Sequence, residues 1–364
     1  MTTLQVDLGP QWRGGQNQAL LLLRGLRARG YRAELVAVGS APLAQHARAE
    51  GFPVHAVGRR ITRLQAVLRL RQLLARERFE LLHLHEAHGL TAAWLARAHR
   101  HSGVVASRRV AYPLHSNPLA LARYRALHRV LAVSRFVAER VVASGLPKEQ
   151  VEIVYDGVEF PPWPAPDARR QARRRWAVGD NNPVLGAVGY LLPDKGQESL
   201  IRAFPAVRAQ FPACQLLLAG DGPCRRRLER LGRALGVHAG VHFTGFVEDV
   251  APVYHALDLF LFPAREEGLG TALLTAMAYA LPVVAIDRGA AREVVTHEQT
   301  GLLVPDSHPA SIAAAVLGLL RDPAWAHQLG AAARNTIQQH FTADQMVENT
   351  LRVYQTVASS ERHP

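Results

Sequence analysis

The chain has 364 residues, 48% hydrophobic and 20% charged, with 43 Lys+Arg against 30 Asp+Glu. That length suits two domains of ordinary size, and the apolar content supplies packed cores, which excludes wholesale disorder. The two cysteines, Cys214 and Cys224, are too few for a disulfide framework or a four-thiolate zinc site.

LQVDL from residue 4 reads as a strand, followed by a helix over 16–29 with Leu20, Leu23 and Leu26 near helical spacing. AELVAV (33–38) is a strand, a short helix follows, and VHAV (54–57) is the next strand. Residues 61–78 form a basic helix. ELLHLH (80–85), GVVAS (103–107) and VLAVS (130–134) are further strands with helices between them. This alternation predicts a parallel, doubly wound sheet covered on both faces. Residues 157–168, GVEFPPWPAPDA, hold four prolines and read as an extended linker.

The alternation then restarts. PVLGAVG (183–189), CQLLLAG (214–220), VHFTG (241–245), DLFLFPA (258–264) and LPVVAI (281–286) are strands. Helices are expected over 195–210, 223–236, 308–321, 323–339 and 343–358. The two halves read as two copies of one architecture, with the cleft between them as the expected ligand site. No apolar run approaches the roughly 20 residues of a membrane span. The N-terminus lacks the basic-then-apolar order of a signal peptide. A reduced cytoplasmic setting is expected.

Charge is unevenly spread. Residues 1–160 hold 23 Lys+Arg and 11 Asp+Glu, whereas the remainder is nearly balanced. An excess of this kind attracts an anionic surface such as phosphate-rich lipid, a polyanionic glycan or nucleic acid; a general bias toward Arg is the bland alternative. The chain has only two lysines, Lys148 and Lys195. A lysine retained in so Arg-rich a sequence points to a place where a compact ammonium is wanted.

Four segments could carry chemistry. In VGYLLPDKGQESLIRAF (188–204) a strand ends in a loop bearing Lys195 before a helix. A helix start offers N–H groups and partial positive charge, so Lys195 there can neutralise a diphosphate; alone, it is equally a surface lysine. In AREEGLGTALLTAMAYALPVVA (264–285), Glu266 and Glu267 precede a turn with Gly268, Leu269 and Gly270. An ionised Glu there suits sugar hydroxyls, with the Gly270 and Thr271 N–H groups turned to phosphate; acidic N-capping is the structural alternative. In LLHLHEAHG (81–89), His85, Glu86 and His88 follow a strand end, where open sheets bind ligands. A metal on the two histidines has little support, because no further ligand pattern accompanies them. In SRRVAYPLHSN (107–117), Arg108 and Arg109 follow another strand end and can grip phosphate or carboxylate; solvated arginines are the alternative. Gly14-Gly15-Gln16 is a glycine turn into a helix, not a G-x-G-x-x-G fingerprint, and neither a P-loop nor a G-x-S-x-G elbow occurs.

In this order the segments resemble the family 4 glycosyltransferases of the GT-B fold, over almost the whole chain. GGQNQALLLLRGLRARGY resembles the family's first glycine turn and helix. VSRFVAERVVASGLPKEQVEIVYDGVEF resembles the end of the N-terminal domain, with Asp156 where Asn or Ser often stands. VGYLLPDKG, LLLAGDGPCRRRLERLGRALGV, VHFTGFVEDV and EEGLGTALLTAMAYALPVVA follow in the family's order.

The resemblance implies two Rossmann-like, doubly wound parallel-sheet domains facing a central cleft. Residues 1–160 would bind the acceptor and 161–342 the nucleotide sugar, with 343–364 a helix packing back toward the first domain. It implies a UDP- or GDP-linked sugar as donor, retention of configuration, no cofactor and no metal. Lys195 would contact the diphosphate and Glu267, the first Glu of an E-x7-E pattern, the donor sugar. Gly268, Leu269, Gly270 and Thr271 would bring backbone N–H groups to the donor. Val247 would lie near the base, and Gly14 and Gly15 would approach the reaction centre. Two departures stand out. Thr275 replaces the second Glu, the usual ribose clamp, and Tyr190 replaces an Arg that neutralises phosphate. Arg108 and Arg109 would compensate, in the region where many members carry an active-site His; with His85 and His88 they would form the acceptor side.

The expected reaction is front-face transfer to a glycan or lipid-linked acceptor, in lipopolysaccharide or other cell-surface glycan synthesis. Helix 59–78, RRITRLQAVLRLRQLLARER, alternates Arg with apolar residues and fits an anionic membrane surface on its cytoplasmic side, or simple packing on the sheet. A catalytically inactive, binding-only relative is the alternative. A nucleic-acid-binding protein has the charge but none of the signature motifs, and an epimerase would leave EGLG unexplained.

Overall fold

The computed structural model describes residues 1–114, 118–163 and 165–360. The end of the SRRVAYPLHSN segment, one proline of the 157–168 linker and the last four residues lie outside them. The chain divides into two compact units, Met1–Gly157 with Ala343–Pro364, and Val158–Thr342.

The first unit is built on strands β1 (Thr2–Asp7), β2 (Arg32–Val38), β3 (Val54–Val57), β4 (Leu81–Leu84), β5 (Gly103–Arg108), β6 (Arg129–Ala132) and β7 (Val151–Ile153). They form one sheet in the order β3-β2-β1-β4-β5-β6-β7, and every pairing is parallel. Helices cover both faces, so the central strands are buried on both sides and read as near-continuous apolar runs. Helix Gly14–Ala28 buries Leu20, Leu21, Leu22, Leu23 and Leu26. It is apolar around most of its circumference because the C-terminal helix Ala343–Ser360 packs against it in the same core, through Met346, Val347, Leu351 and Tyr354.

The second unit repeats the design with β8 (Val184–Val188), β9 (Gln215–Ala219), β10 (Val241–Gly245), β11 (Leu259–Phe262), β12 (Val283–Ile286) and β13 (Leu302–Val304), ordered β10-β9-β8-β11-β12-β13 and again all parallel. Its core joins Leu216, Leu218, Leu259, Leu261, Val284 and Ile286 from the strands to Ile201, Phe204, Val316 and Leu329 from the helices. Strands β7 and β13 have three residues each, too short for a period to declare itself in the sequence. Helix Ala168–Arg175 begins where the proline-rich stretch ends; its Arg173 is fully buried and bonded to Asp258 and to the carbonyls of Gly179, Asn182 and Ala256.

In each sheet the strand order reverses once, between β1 and β4 and between β8 and β11. Open α/β sheets bind ligands outside the carboxyl ends of the strands at such a reversal.

Candidate active site

Lys195 and Glu267 come from the two loops that flank the reversal in the second unit. Lys195 closes a short turn, Pro193–Lys195, after β8, and Glu267 follows β11. Their side chains meet in an ion pair, Nζ to Oε2, with 28% and 23% of their surface exposed. The backbone brings them together. Gly196 has φ +73°, and a Cβ there would lie 2.3 Å from the Pro263 carbonyl oxygen, so glycine is what allows the loops to touch. The Arg265 N–H donates to the Asp194 carbonyl at 3.4 Å across the same seam.

Past Glu267 the chain buries Gly268 and Leu269 and reaches Gly270, which caps helix Thr271–Ala278 at φ +91°. A Cβ on Gly270 would come 2.5 Å from the Phe262 ring. No side chain caps this helix start, so its first turn presents N–H dipoles that favour an anion. Thr275 lies one turn further on, and its hydroxyl donates to the Thr271 carbonyl at 2.8 Å. The buried Tyr254 hydroxyl bonds to Thr275 and to the Ala272 carbonyl; burial pushes that phenol up. Tyr190 follows β8, partly exposed, with the Gln197 amide donating to its carbonyl at 3.3 Å. Val247 follows β10, half-buried beside the exposed Phe246.

In the first unit, Gly15, His85 and Arg109 converge and Arg108 and His88 do not join them. Gly14 and Gly15 open helix Gly14–Ala28, and a Cβ on Gly15 would lie 3.8 Å from Arg109 Cδ. Arg109 Nε donates to Asp156 Oδ1 at 2.9 Å, and its Nη1 lies 3.3 Å from His85 Nδ1. Arg108 instead bonds the Tyr124 hydroxyl at 3.3 Å and the Tyr112 carbonyl. His85 is buried, whereas His88 is exposed and accepts from Arg63 Nε at 2.8 Å. Adjacent residues after a strand diverge because side-chain direction alternates. Among the described residues no group of three or more His, Cys, Asp or Glu is placed to hold a metal.

Asp7 and His83 were not singled out by the sequence, and Glu86 was noted only as a neighbour of His85. Asp7, at the end of β1, accepts from the Gly9 N–H at 2.8 Å and from Gln16 Nε2 at 3.1 and 3.0 Å. Burial, reinforced by the nearby Glu86 carboxylate, pushes its carboxyl up to about 6. Glu86 caps helix Ala87–Leu95 and also accepts from the Leu8 N–H at 3.2 Å, tying the β1 loop to the β4 loop. Burial raises its carboxyl too. His83 stacks on His85 with ring centroids 4.3 Å apart. The alternation His83-Leu84-His85 was the available signal, since residues two apart in a strand share a face.

Residues 12–160 match the family model Glycosyltransferase Family 4, and residues 182–322 match Glycosyl transferases group 1. A GDP-mannose-dependent alpha-mannosyltransferase of Mycobacterium tuberculosis is 30% identical over 326 residues, 81% of each chain. A GDP-mannose-dependent alpha-(1-6)-phosphatidylinositol monomannoside mannosyltransferase of Mycolicibacterium smegmatis is 38% identical over 216 residues, 57% of this chain and 56% of that protein. The match to relatives of this second kind thus spans little more than half of their length. Among solved structures, HepE of Anabaena, crystallised with UDP and glucose, superposes with a TM-score of 0.85 at 20% identity, covering 98% of this chain and 99% of that one. Sucrose-phosphate synthase from Thermosynechococcus elongatus gives 0.81 at 22% identity over 99% and 100%. These likenesses establish the fold as GT-B. The chain belongs to glycosyltransferase family 4.

Proposed function

We propose that this protein is a retaining glycosyltransferase that moves a sugar from a UDP- or GDP-linked donor to a glycan or glycolipid acceptor in lipopolysaccharide or other cell-surface glycan synthesis. The observation that carries the reading is the Lys195–Glu267 pair at the β8/β11 reversal. An ammonium and a carboxylate beside an uncapped helix start match the two ends of a sugar diphosphate. Breaking the anomeric C–O bond develops negative charge on the leaving diphosphate and positive charge on the sugar. A diphosphate carries more negative charge than one carboxylate, so it draws the Lys195 ammonium, while Glu267 is freed to accept from sugar hydroxyls.

In this reading Val158–Thr342 binds the donor. Gly268, Leu269, Gly270 and Thr271 turn backbone N–H groups to it, and Tyr190, Val247 and Thr275 line the nucleotide side. Met1–Gly157 binds the acceptor, with Arg109, seated beside Gly15, as its substrate-facing cation. Charge neutralisation by Lys195 and backbone dipoles makes the transfer metal-independent. Because no carboxylate stands out in the sequence as a nucleophile for double displacement, the proposed route is front-face attack with the leaving phosphate taking the acceptor's proton. The relatives named above use GDP-mannose, which makes it the first donor to test.

The acceptor is proposed to be reached at an anionic membrane surface. Ile61, Leu64 and Leu68 form an exposed apolar stripe, 67%, 57% and 56% exposed, along helix Thr62–Arg76 and its cap. Arg59, Arg60 and Arg63 are exposed beside it, and no helix of the described residues is long and apolar enough to cross a membrane. The deciding experiment is a thermal-shift screen against UDP, GDP, ADP and their sugars, followed by donor turnover with a glycolipid acceptor. Stabilisation by a nucleotide sugar together with transfer supports the reading. Nucleotide binding without hydrolysis or transfer would favour the binding-only alternative, which the substitution of Thr275 for a ribose-clamping Glu makes the one to exclude.

A further inference from the structure

We infer that Tyr354, on the C-terminal helix, is a positioning residue for Arg109, acting through a buried hydrogen-bond chain that fixes the tautomer of His85. The inference rests on the reading of Arg109 as a substrate-facing group.

The chain starts at a donor that cannot reverse. A guanidinium only donates. Arg109 Nη1 faces His85 Nδ1 at 3.3 Å, so Nδ1 must be a bare acceptor and the ring proton sits on Nε2. His85 Nε2 then donates to Gln5 Oε1 at 2.9 Å. That orients the Gln5 amide, whose Nε2 donates to Thr3 Oγ1 at 3.2 Å and to the Tyr354 hydroxyl oxygen at 3.3 Å. The Tyr354 O–H is left to donate to His83 Nδ1 at 2.6 Å. His83 Nε2 finally donates to Ser107 Oγ at 2.7 Å. Gln5, His83, His85 and Tyr354 are all buried, and register pairs Gln5 with His83 across β1 and β4.

Every link can run backwards except the first. With the Gln5 amide turned over, its NH2 would face His85 Nε2, the ring proton would move to Nδ1, and two donors would confront each other at Arg109. The Tyr354 hydroxyl ties that turn to His83: while its O–H donates to His83 Nδ1, a turned Gln5 would set its carbonyl oxygen against the Tyr354 oxygen, and relief requires the His83 proton to move to Nδ1 as well. Both imidazoles are held neutral by burial, with Arg109 adding to the effect, and burial keeps the Tyr354 phenol protonated. Helix Ala343–Ser360 therefore reaches the β1/β4 reversal by one oxygen atom.

The test has two arms. In the unaltered protein, nitrogen NMR of histidine should show His85 Nδ1 unprotonated and Nε2 protonated; a protonated Nδ1 overturns the inference, whether or not any variant folds. Tyr354→Phe keeps the ring and removes the hydroxyl. It should give a mixed His85 tautomer and lower kcat by roughly tenfold or more, with donor KM within about twofold, as expected when a charged group is misplaced rather than lost. Unchanged kcat and an unchanged His85 spectrum in Tyr354→Phe would refute it. If the unaltered protein transfers no sugar, the proposed function fails, and the spectra still decide the tautomer chain.

Discussion

Arg109 and Asp156, 47 residues apart, form a nearly buried ion pair, Nε to Oδ1 at 2.9 Å, with side chains 13% and 6% exposed. Burial works to raise the Asp156 carboxyl, and the guanidinium opposes it. The pair explains two oddities of sequence at once: an arginine at this strand end and an aspartate where the family often has Asn or Ser. Removing one member of a buried pair strands the other charge, at a cost of about 3–5 kcal/mol. Asp156→Ala should therefore destabilise the protein by that order, and Asp156→Asn by less, since the amide oxygen still accepts from Nε. Urea unfolding measures both. A loss below about 1 kcal/mol for Asp156→Ala would mean that solvent, not Asp156, balances Arg109.

The donor site offers a sharper contrast between charge and shape. Lys195→Ala removes the cation proposed for the departing diphosphate and should lower kcat on the order of 10²–10³, the scale of losing one preorganised electrostatic donor. Lys195→Arg keeps the charge but replaces a compact ammonium with a planar fork, and should recover only part of the rate. Gly196→Ala leaves both charged residues in place but sets a Cβ against the Pro263 carbonyl at a left-handed backbone position. It should part the two loops and depress activity comparably. Steady-state kinetics on the three variants separates the cases, and full activity in Gly196→Ala would show that loop contact is not what aligns Lys195 with Glu267.

Which parts of this were legible in the sequence follows from the range of the interactions. Parallel strands buried on both faces leave apolar runs such as FELLHL and PVVAI, so the alternation of elements could be read directly. Lys195 and Glu267 were legible as motif residues, because each is a local feature of a strand–loop–helix turn. Their contact was not, because it depends on Gly196 meeting Pro263 across 67 residues of chain. The divergence of Arg108 from Arg109 was equally hidden, since two adjacent arginines look alike until the strand's alternation is fixed in three dimensions. Tyr354 was out of reach altogether. A tyrosine on an amphipathic helix reads as core, and its role appears only when that helix is docked beside His83.

Asp7 provides a pH signature. Its folded carboxyl stands at about 6, against an ordinary value of 3.8. Because the folded value is the higher one, the native state keeps the proton after the unfolded chain has lost it. The stabilising contribution is complete below pH 3.8, falls as pH rises, and is gone above about 6. Each unit corresponds to about 1.4 kcal/mol, so the loss is ~3 kcal/mol across the window. Asp7→Asn cannot ionise, and its Oδ1 still accepts from the Gly9 N–H. The variant should therefore gain on the unaltered protein by roughly that amount between pH 4 and pH 7 in denaturant unfolding. Glu86 is present in both proteins, so its own raised carboxyl largely cancels in the difference. A pH-independent difference between the two proteins would remove Asp7 as the titrating group.

The exposed stripe on helix Thr62–Arg76 separates two sources of membrane affinity. Ala66, Val67 and Leu70 already anchor the helix to its own unit, so Leu64 and Leu68 are spare for insertion, and Arg59 and Arg60 for anionic headgroups. Neutralising both arginines to Gln should weaken binding to anionic vesicles by about 2 kcal/mol, roughly 30-fold, at about 1 kcal/mol per basic residue near the surface. It should leave binding to zwitterionic vesicles unchanged. Leu64→Glu with Leu68→Glu should abolish binding to both, because it removes the apolar contact and adds repulsion. Raising the salt must weaken anionic binding of the unaltered protein through screening. Vesicle co-sedimentation measures all of these, and equal affinity for the two vesicle types would eliminate the electrostatic part of the proposal while leaving the apolar stripe to account for any binding that remains.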